Sequence, residues 1–258
     1  MILDEIVAGT KKALEVSKRN MPLKKLNEMA FAQPPAKSLS QALSGDRIKL
    51  ITEVKKASPS KGVICQNFNP VAIARMYAAN GAAAISVLTE PDYFQGSLDY
   101  LKEIREALGE DRPPLLRKDF IFEAYQVFQS RAYGADCLLL IAAILSPSAM
   151  KYLLDLSHNL GMECLVEVHN EKELENVLAT DTAIIGINNR DLHTFKTDIK
   201  VTMRLKTLIP DDRIVVSESG ISSKEDMYEL QSCGVTNFLI GEALVASQNI
   251  SVKMKELQ

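Results

Sequence analysis

From residue 48 onward the chain alternates short, nearly unbroken apolar runs with longer stretches whose apolar residues recur at helical spacing. The runs are Ile48–Val54, Ala83–Val87, Leu115–Lys118, Cys137–Ile141, Cys164–Val168, Ile184–Asn188, Ile214–Ser217 and Asn237–Ile240. Such runs are expected of parallel strands covered on both faces. Between them, Val71–Asn80, Leu98–Leu108, Glu123–Tyr133 and Ser148–Leu160 read as amphipathic helices; Leu98, Leu101, Ile104 and Leu108 recur at helical spacing. Glycine marks the return from helix to strand in Asn80-Gly81-Ala82, Tyr133-Gly134-Ala135 and Cys233-Gly234-Val235, where it can adopt the left-handed conformation that ends a helix. Eight strand–helix units predict an α/β fold, a single (β/α)8 TIM barrel. An open doubly wound sheet fits less well, because no glycine-rich turn follows the first strand.

The start of the chain stands outside the repeat. Leu3, Ile6, Val7 and Leu14 predict an amphipathic helix stopped near Pro22; Leu23–Phe31 predicts a second, ending before Pro34-Pro35, a pair that excludes further helix. The expected division is an N-terminal helical extension, 1–45, and a barrel catalytic domain, 46–258. The extension either caps one end of the barrel or forms a flap over the active site, and both readings stay open.

A length of 258 residues suits one barrel with no second domain. With 47% hydrophobic and 24% charged residues, the chain can bury a large core. Its 30 basic and 33 acidic residues give a formal charge of -3, against the basic excess of a nucleic-acid binder. Asp4 and Glu5 interrupt any signal-peptide pattern. The longest apolar run, Cys137 to Leu145, is far short of the ~20 residues that span a bilayer. Cys65, Cys137, Cys164 and Cys233 lack zinc-site spacing, Cys137 and Cys164 reading as core residues, and His158, His169 and His193 likewise lack ligand spacing. A reducing cytoplasm is the expected compartment, without nucleic-acid or membrane partners, and a monomer is compatible with the sequence.

In a (β/α)8 barrel the chemistry sits at the C-terminal ends of the strands. Strand one ends Ile51-Thr52-Glu53-Val54-Lys55. The two-residue period puts Glu53 and Lys55 on one face, as an ion pair at the mouth. Strand three ends with Lys118, a candidate acid whose pKa burial is expected to lower. Glu167 sits between Val166 and Val168 in strand five, a carboxylate too costly to bury unpaired. Strands six and seven end Asn188-Asn189-Arg190 and Ser217-Glu218-Ser219-Gly220. After strands seven and eight, Ser219-Gly220 and Gly241-Glu242 fall where barrels bind phosphate through loop and helix N-terminal N–H groups. A phosphorylated small molecule is the expected partner.

Taken together, the motifs resemble indole-3-glycerol phosphate synthase, a barrel family of tryptophan biosynthesis. They are Glu53-Val54-Lys55-Lys56-Ala57-Ser58-Pro59-Ser60-Lys61-Gly62, Ser86-Val87-Leu88-Thr89-Glu90, Tyr93-Phe94-Gln95-Gly96-Ser97, Leu116-Arg117-Lys118-Asp119-Phe120, Gly186-Ile187-Asn188-Asn189-Arg190-Asp191-Leu192 and Ser217-Glu218-Ser219-Gly220-Ile221. The chain looks like the monofunctional form rather than the fusion with phosphoribosylanthranilate isomerase. That isomerase would be expected to use Cys and Asp at strand ends, which here carry Lys and Glu. A catalytically silent binding subunit would not require opposed acids and bases.

The resemblance implies ring closure of 1-(2-carboxyphenylamino)-1-deoxyribulose 5-phosphate with loss of carbon dioxide and water. It implies Lys118 as the acid at the ketone, Glu167 as an acid/base and Lys55 as a second donor or electrostatic partner. Glu53 and Glu218 are similar to orienting residues, and Asn188 to one that hydrogen-bonds the reacting region. Phe94 and Phe120 match positions flanking the anthranilate ring, with plain core as the alternative. Arg190 is the candidate for the substrate carboxylate, with a rim salt bridge as the alternative. Ser58, with Lys55 and the two loop dipeptides Ser219-Gly220 and Gly241-Glu242, would share the phosphate. No metal or organic cofactor is implied.

Overall fold

The computed structural model describes residues 2–192 and 194–258, so His193 lies outside the described residues. Its barrel strands are β1 (Lys49–Val54), β2 (Ala84–Leu88), β3 (Leu115–Lys118), β4 (Cys137–Ile141), β5 (Glu163–Val168), β6 (Ile184–Asn188), β7 (Ile214–Glu218) and β8 (Asn237–Ile240), and Ala57–Ser58 pairs with Gly62–Val63 in a small antiparallel hairpin after β1. They close into one parallel barrel in the order β1-β8-β7-β6-β5-β4-β3-β2, with β2 paired back onto β1. Closure excludes the open sheet, and each expected strand is present with its ends moved by at most one residue.

Alternation splits every apolar run between two cores. In β4, Cys137, Leu139 and Ile141 point into the barrel, whereas Leu138 and Leu140 pack outward beneath the helices. Ile51, Leu116, Leu165 and Val216, from β1, β3, β5 and β7, belong to the interior core. Two residues onward, on the same face of the same strands, stand Glu53, Lys118, Glu167 and Glu218. Four side chains from alternate strands form one barrel layer. The layer at the C-terminal end is therefore the polar one.

The helices are α1 (Ile2–Asn20), α2 (Leu23–Phe31), α3 (Leu39–Ala42), α4 (Pro70–Ala79), α5 (Asp99–Leu108), α6 (Ala124–Ala132), α7 (Pro147–Asn159), α8 (Glu171–Leu178), α9 (Lys200–Lys206), α10 (Lys224–Gln231), α11 (Glu242–Val245) and α12 (Ile250–Leu257). Asn69, Ser146, Asn170 and Ser223 start α4, α7, α8 and α10 by accepting a backbone N–H of the first turn. The three predicted glycine joints are left-handed, with φ of +80° at Gly81, +89° at Gly134 and +84° at Gly234.

The extension touches both ends of the barrel. Ile2, Leu3 and Ile6 of α1 line a cavity at the C-terminal ends of the strands. Leu14 of α1 and Leu26 and Ala30 of α2 pack against Tyr125 and Ala132 of α6. The expectation of no helix beyond Pro34-Pro35 is corrected by α3. A proline restricts itself and the residue before it, so helix resumes once Ser38 caps the Gln41 N–H. Glu163, at the start of β5, accepts from the Ser40 N–H at 2.8 Å. Thus anchored, α3 and the residue after it press Leu39 and Leu43 into the interior core and close the N-terminal end.

Candidate active site

The cavity at the strands' C-terminal ends has a volume of about 420 Å³. Every candidate residue lines it: Glu53, Lys55, Lys118, Glu167, Asn188 and Glu218, together with Ser58, Phe94, Phe120, Arg190, Ser219, Gly220, Gly241 and Glu242.

Its floor is the polar layer. Lys118 Nζ lies 2.6 Å from Glu218 Oε2 and 3.5 Å from Glu167 Oε2. Lys55 Nζ pairs with Glu53 Oε2 at 2.7 Å, the ion pair that the alternation of strand one predicted. Two glycines make room for these carboxylates. A Cβ on Gly186 of β6 would collide with Glu218 Oε1, and one on Gly241, just after β8, with Glu53 Oε2. Gly241 therefore has a requirement beyond the approach of an anion, because the neighbouring strand's carboxylate fills the space of its side chain.

The electrostatics correct one expectation. Burial does oppose the charge on Lys118, but Glu218, Glu167 and Glu53 outweigh it and hold the pKa above the ordinary lysine value. Burial likewise opposes ionisation of Glu167, yet Lys118, His169 and Asn188 outweigh it and bring its pKa down to about 2. Glu218 goes the other way. Burial, reinforced by Glu167 and Glu53, exceeds the pull of Lys118 and raises its pKa to about 7. Among the described residues Glu218 Oε1 has no hydrogen-bond partner, as suits a carboxyl that holds its proton readily.

The walls are apolar on one side and charged on the other. Phe94 and Phe120 face each other with ring centroids 6.2 Å apart and planes inclined at 38°. Buried Glu90 sets Phe94 in place by accepting the backbone N–H groups of Asp92, Tyr93 and Phe94 at 3.0, 2.8 and 3.0 Å. Opposite, Glu242 Oε1 pairs with Lys61 at 2.5 Å and its Oε2 lies 3.6 Å from Arg190 Nη2. That contact links the loop after β1 to the joint after β8. Ser219 is left-handed at φ +67° although it is not glycine, and Gly220 follows at +76°.

Four contributors escape the sequence reading. Leu192, though part of a quoted motif, and Phe195 line the cavity from the turn after β6. Glu90 acts through its loop. His169 was set aside for lack of ligand spacing, yet its Nε2 lies 3.3 Å from Glu167 Oε1 and its Nδ1 3.0 Å from Glu173 Oε2. The available signal was an acidic residue two before and another four after the histidine.

Comparison with known proteins narrows this site to one chemistry. The profile of the family described as indole-3-glycerol phosphate synthase matches residues 3–257. The chain belongs to the indole-3-glycerol phosphate synthase family. A relative named indole-3-glycerol phosphate synthase from Dehalococcoides mccartyi is 55% identical over 258 residues, covering 100% of both chains. One of the same name from Roseiflexus sp. is 48% identical over 262 residues, covering 99% of this chain and 97% of its own. Among solved structures, 3-hexulose-6-phosphate synthase from Salmonella typhimurium superposes with a TM-score of 0.65 at 9% identity over 81% of this chain and 96% of that one, a likeness of fold alone. Membership of the indole-3-glycerol phosphate synthase family makes the chain a carboxy-lyase of tryptophan biosynthesis that acts on a phosphorylated small molecule.

Proposed function

We propose that the polar layer closes the indole ring of 1-(2-carboxyphenylamino)-1-deoxyribulose 5-phosphate with the following division of labour. Phe94 and Phe120 flank the anthranilate ring, and Arg190 holds its carboxylate. Ser58 and the backbone N–H groups around Ser219-Gly220 and Gly241-Glu242 receive the phosphate, with Lys55 nearby as counter-charge. Lys118 donates a proton to the ketone oxygen as the ring carbon attacks. The carboxylate leaves as carbon dioxide, and its bonding electrons restore the aromatic ring. Glu167 is ionised at rest, so its first act is to accept a proton, here from the newly closed ring. The hydroxyl leaves as water with a proton from Lys55. Two donations and one abstraction leave a net uptake of one proton from solvent. Glu53 and Glu218 orient the lysines, and Asn188 holds Glu167.

The observation that carries this reading is Lys118 at 2.6 and 3.5 Å from carboxylates of two other strands, on the floor of the cavity and open to it. Its strong positive charge makes it a potent hydrogen-bond donor to a developing alkoxide. The test is conversion of the substrate to a fluorescent indole by purified protein. The chain contains no tryptophan, so product is read without protein indole background. A folded preparation that binds phosphate and forms no indole would overturn the reading.

We also read residues 1–45 as an extension of a catalytic barrel, 46–258, working as a monomer in the cytoplasm without nucleic-acid or membrane partners. A net charge of -3 speaks against a nucleic-acid partner, and among the described residues no helix is long and apolar enough to cross a membrane.

A further inference from the structure

We propose that His169, anchored by Glu173, is a positioning residue that fixes Glu167 and reserves one of its two carboxylate oxygens for the reaction. The inference rests on the acid/base reading of Glu167. Two residues beyond Glu167 on the same face, His169 stands just past the end of β5 with its side chain 11% exposed. Glu173 Oε2, in the first turn of α8, accepts both the backbone N–H of His169 at 2.8 Å and its Nδ1–H at 3.0 Å. Glu173 is itself held by Asn170, whose Nδ2 donates to Oε1 at 2.7 Å. The other ring nitrogen lies 3.3 Å from Glu167 Oε1, at ion-pair distance and without the alignment of a hydrogen bond.

A ring with a carboxylate at each nitrogen has a use for two N–H groups, and imidazolium supplies both. The two oxygens of Glu167 then have different neighbours: His169 stands at Oε1 and Lys118, at 3.5 Å, at Oε2. Lys118, the group proposed to meet substrate, stands at the second oxygen. Charge balance points the same way. Lys55 pairs with Glu53 and Lys118 with Glu218, so His169, between Glu167 and Glu173, is the cation that faces Glu167 Oε1. The charged groups around Glu167 are thus Lys118, Glu53, Glu218 and His169, with uncharged Asn188 from β6; those around His169 are Glu167 and Glu173. Burial opposes charge on the imidazole, but the two carboxylates prevail and lift its pKa to about 10.

The test compares His169→Leu, His169→Gln, Glu173→Gln and Glu167→Gln in steady-state assays across pH. His169→Leu is expected to lower kcat by about tenfold to a hundredfold with little change in KM, the scale of a misplaced catalytic group. Its acid limb should move toward neutral pH, because the carboxylate loses a cation that favours its ionised form. Glu173→Gln should do the same to a smaller extent. His169→Gln, which keeps an N–H at the ring position, should restore part of kcat while leaving the limb displaced. If Glu167→Gln abolishes turnover while kcat in His169→Leu and Glu173→Gln stays within about twofold of native, the positioning role is wrong and the Glu167 reading stands. Near-normal turnover in Glu167→Gln overturns the Glu167 reading, and this inference with it. Should His169→Leu fail to fold, imidazole nitrogen NMR of the native protein, which has three histidines, decides. A His169 ring doubly protonated through neutral pH supports the assignment, and a ring neutral there overturns it.

Discussion

Three carboxylates outweigh the burial of Lys118, so the proposed mechanism uses it as an electrophilic donor rather than as a lysine tuned toward neutrality. Lys118→Ala is expected to reduce kcat/KM by at least about a hundredfold, as for loss of a general acid; steady-state indole fluorescence checks it. Glu218 makes a prediction about pH. Its pKa rises from the ordinary 4.5 to about 7, so the folded protein holds this proton more tightly than the unfolded chain does. The stability it contributes is complete below 4.5 and disappears as pH rises through about 7. Glu218→Gln removes that titration. The unfolding free energy of the native protein should therefore fall relative to the variant across this window, and urea midpoints at several pH values measure it. A constant difference would contradict the assignment. The individual residues were readable because the two-residue period names the inward face of each strand. What stands across the barrel was not. Glu218 and Glu167 come within reach of Lys118 only on closure, so the direction of its pKa could not be taken from strand three alone.

Strands were the most readable elements, since parallel strands sheathed in helices must be apolar on both faces and their runs end sharply. The loop after β2 was less so. Its conformation depends on Glu90, a buried carboxylate satisfied by three backbone N–H groups rather than by a cation. Glu90→Ala should let the loop relax and Phe94 drift, raising KM by about tenfold or more, with a smaller change in kcat. Equal losses in both constants would place Glu90 elsewhere in the reaction. The short helix α3 is hidden by the proline pair, whose restriction ends with the prolines themselves, and Ser38 ahead of Leu39 carries the start signal. The extension's dual contact belongs to tertiary structure, and its own periodicity could not choose an end.

The barrel is closed at one end by Leu39 and Leu43 and holds its chemistry at the other. Leu39→Ala is expected to lower stability by about 2–5 kcal/mol in urea unfolding while leaving kcat and KM unchanged. A loss of turnover far below the unfolding transition would show that the two ends are coupled. The two ends of the described chain, Ile2 and Gln258, also stand at opposite ends of the barrel. Ile2 and Leu3 line the cavity, whereas Gln258 Nε2 donates to the carbonyls of Asn80 and Gly81, at the turn that enters β2 from below. An affinity tag or fusion partner joined ahead of Ile2 therefore emerges beside the substrate entrance, and one joined after Gln258 emerges at the far face. For immobilising the enzyme, or coupling it to a second catalyst, the carboxyl terminus is the attachment point that leaves the entrance clear.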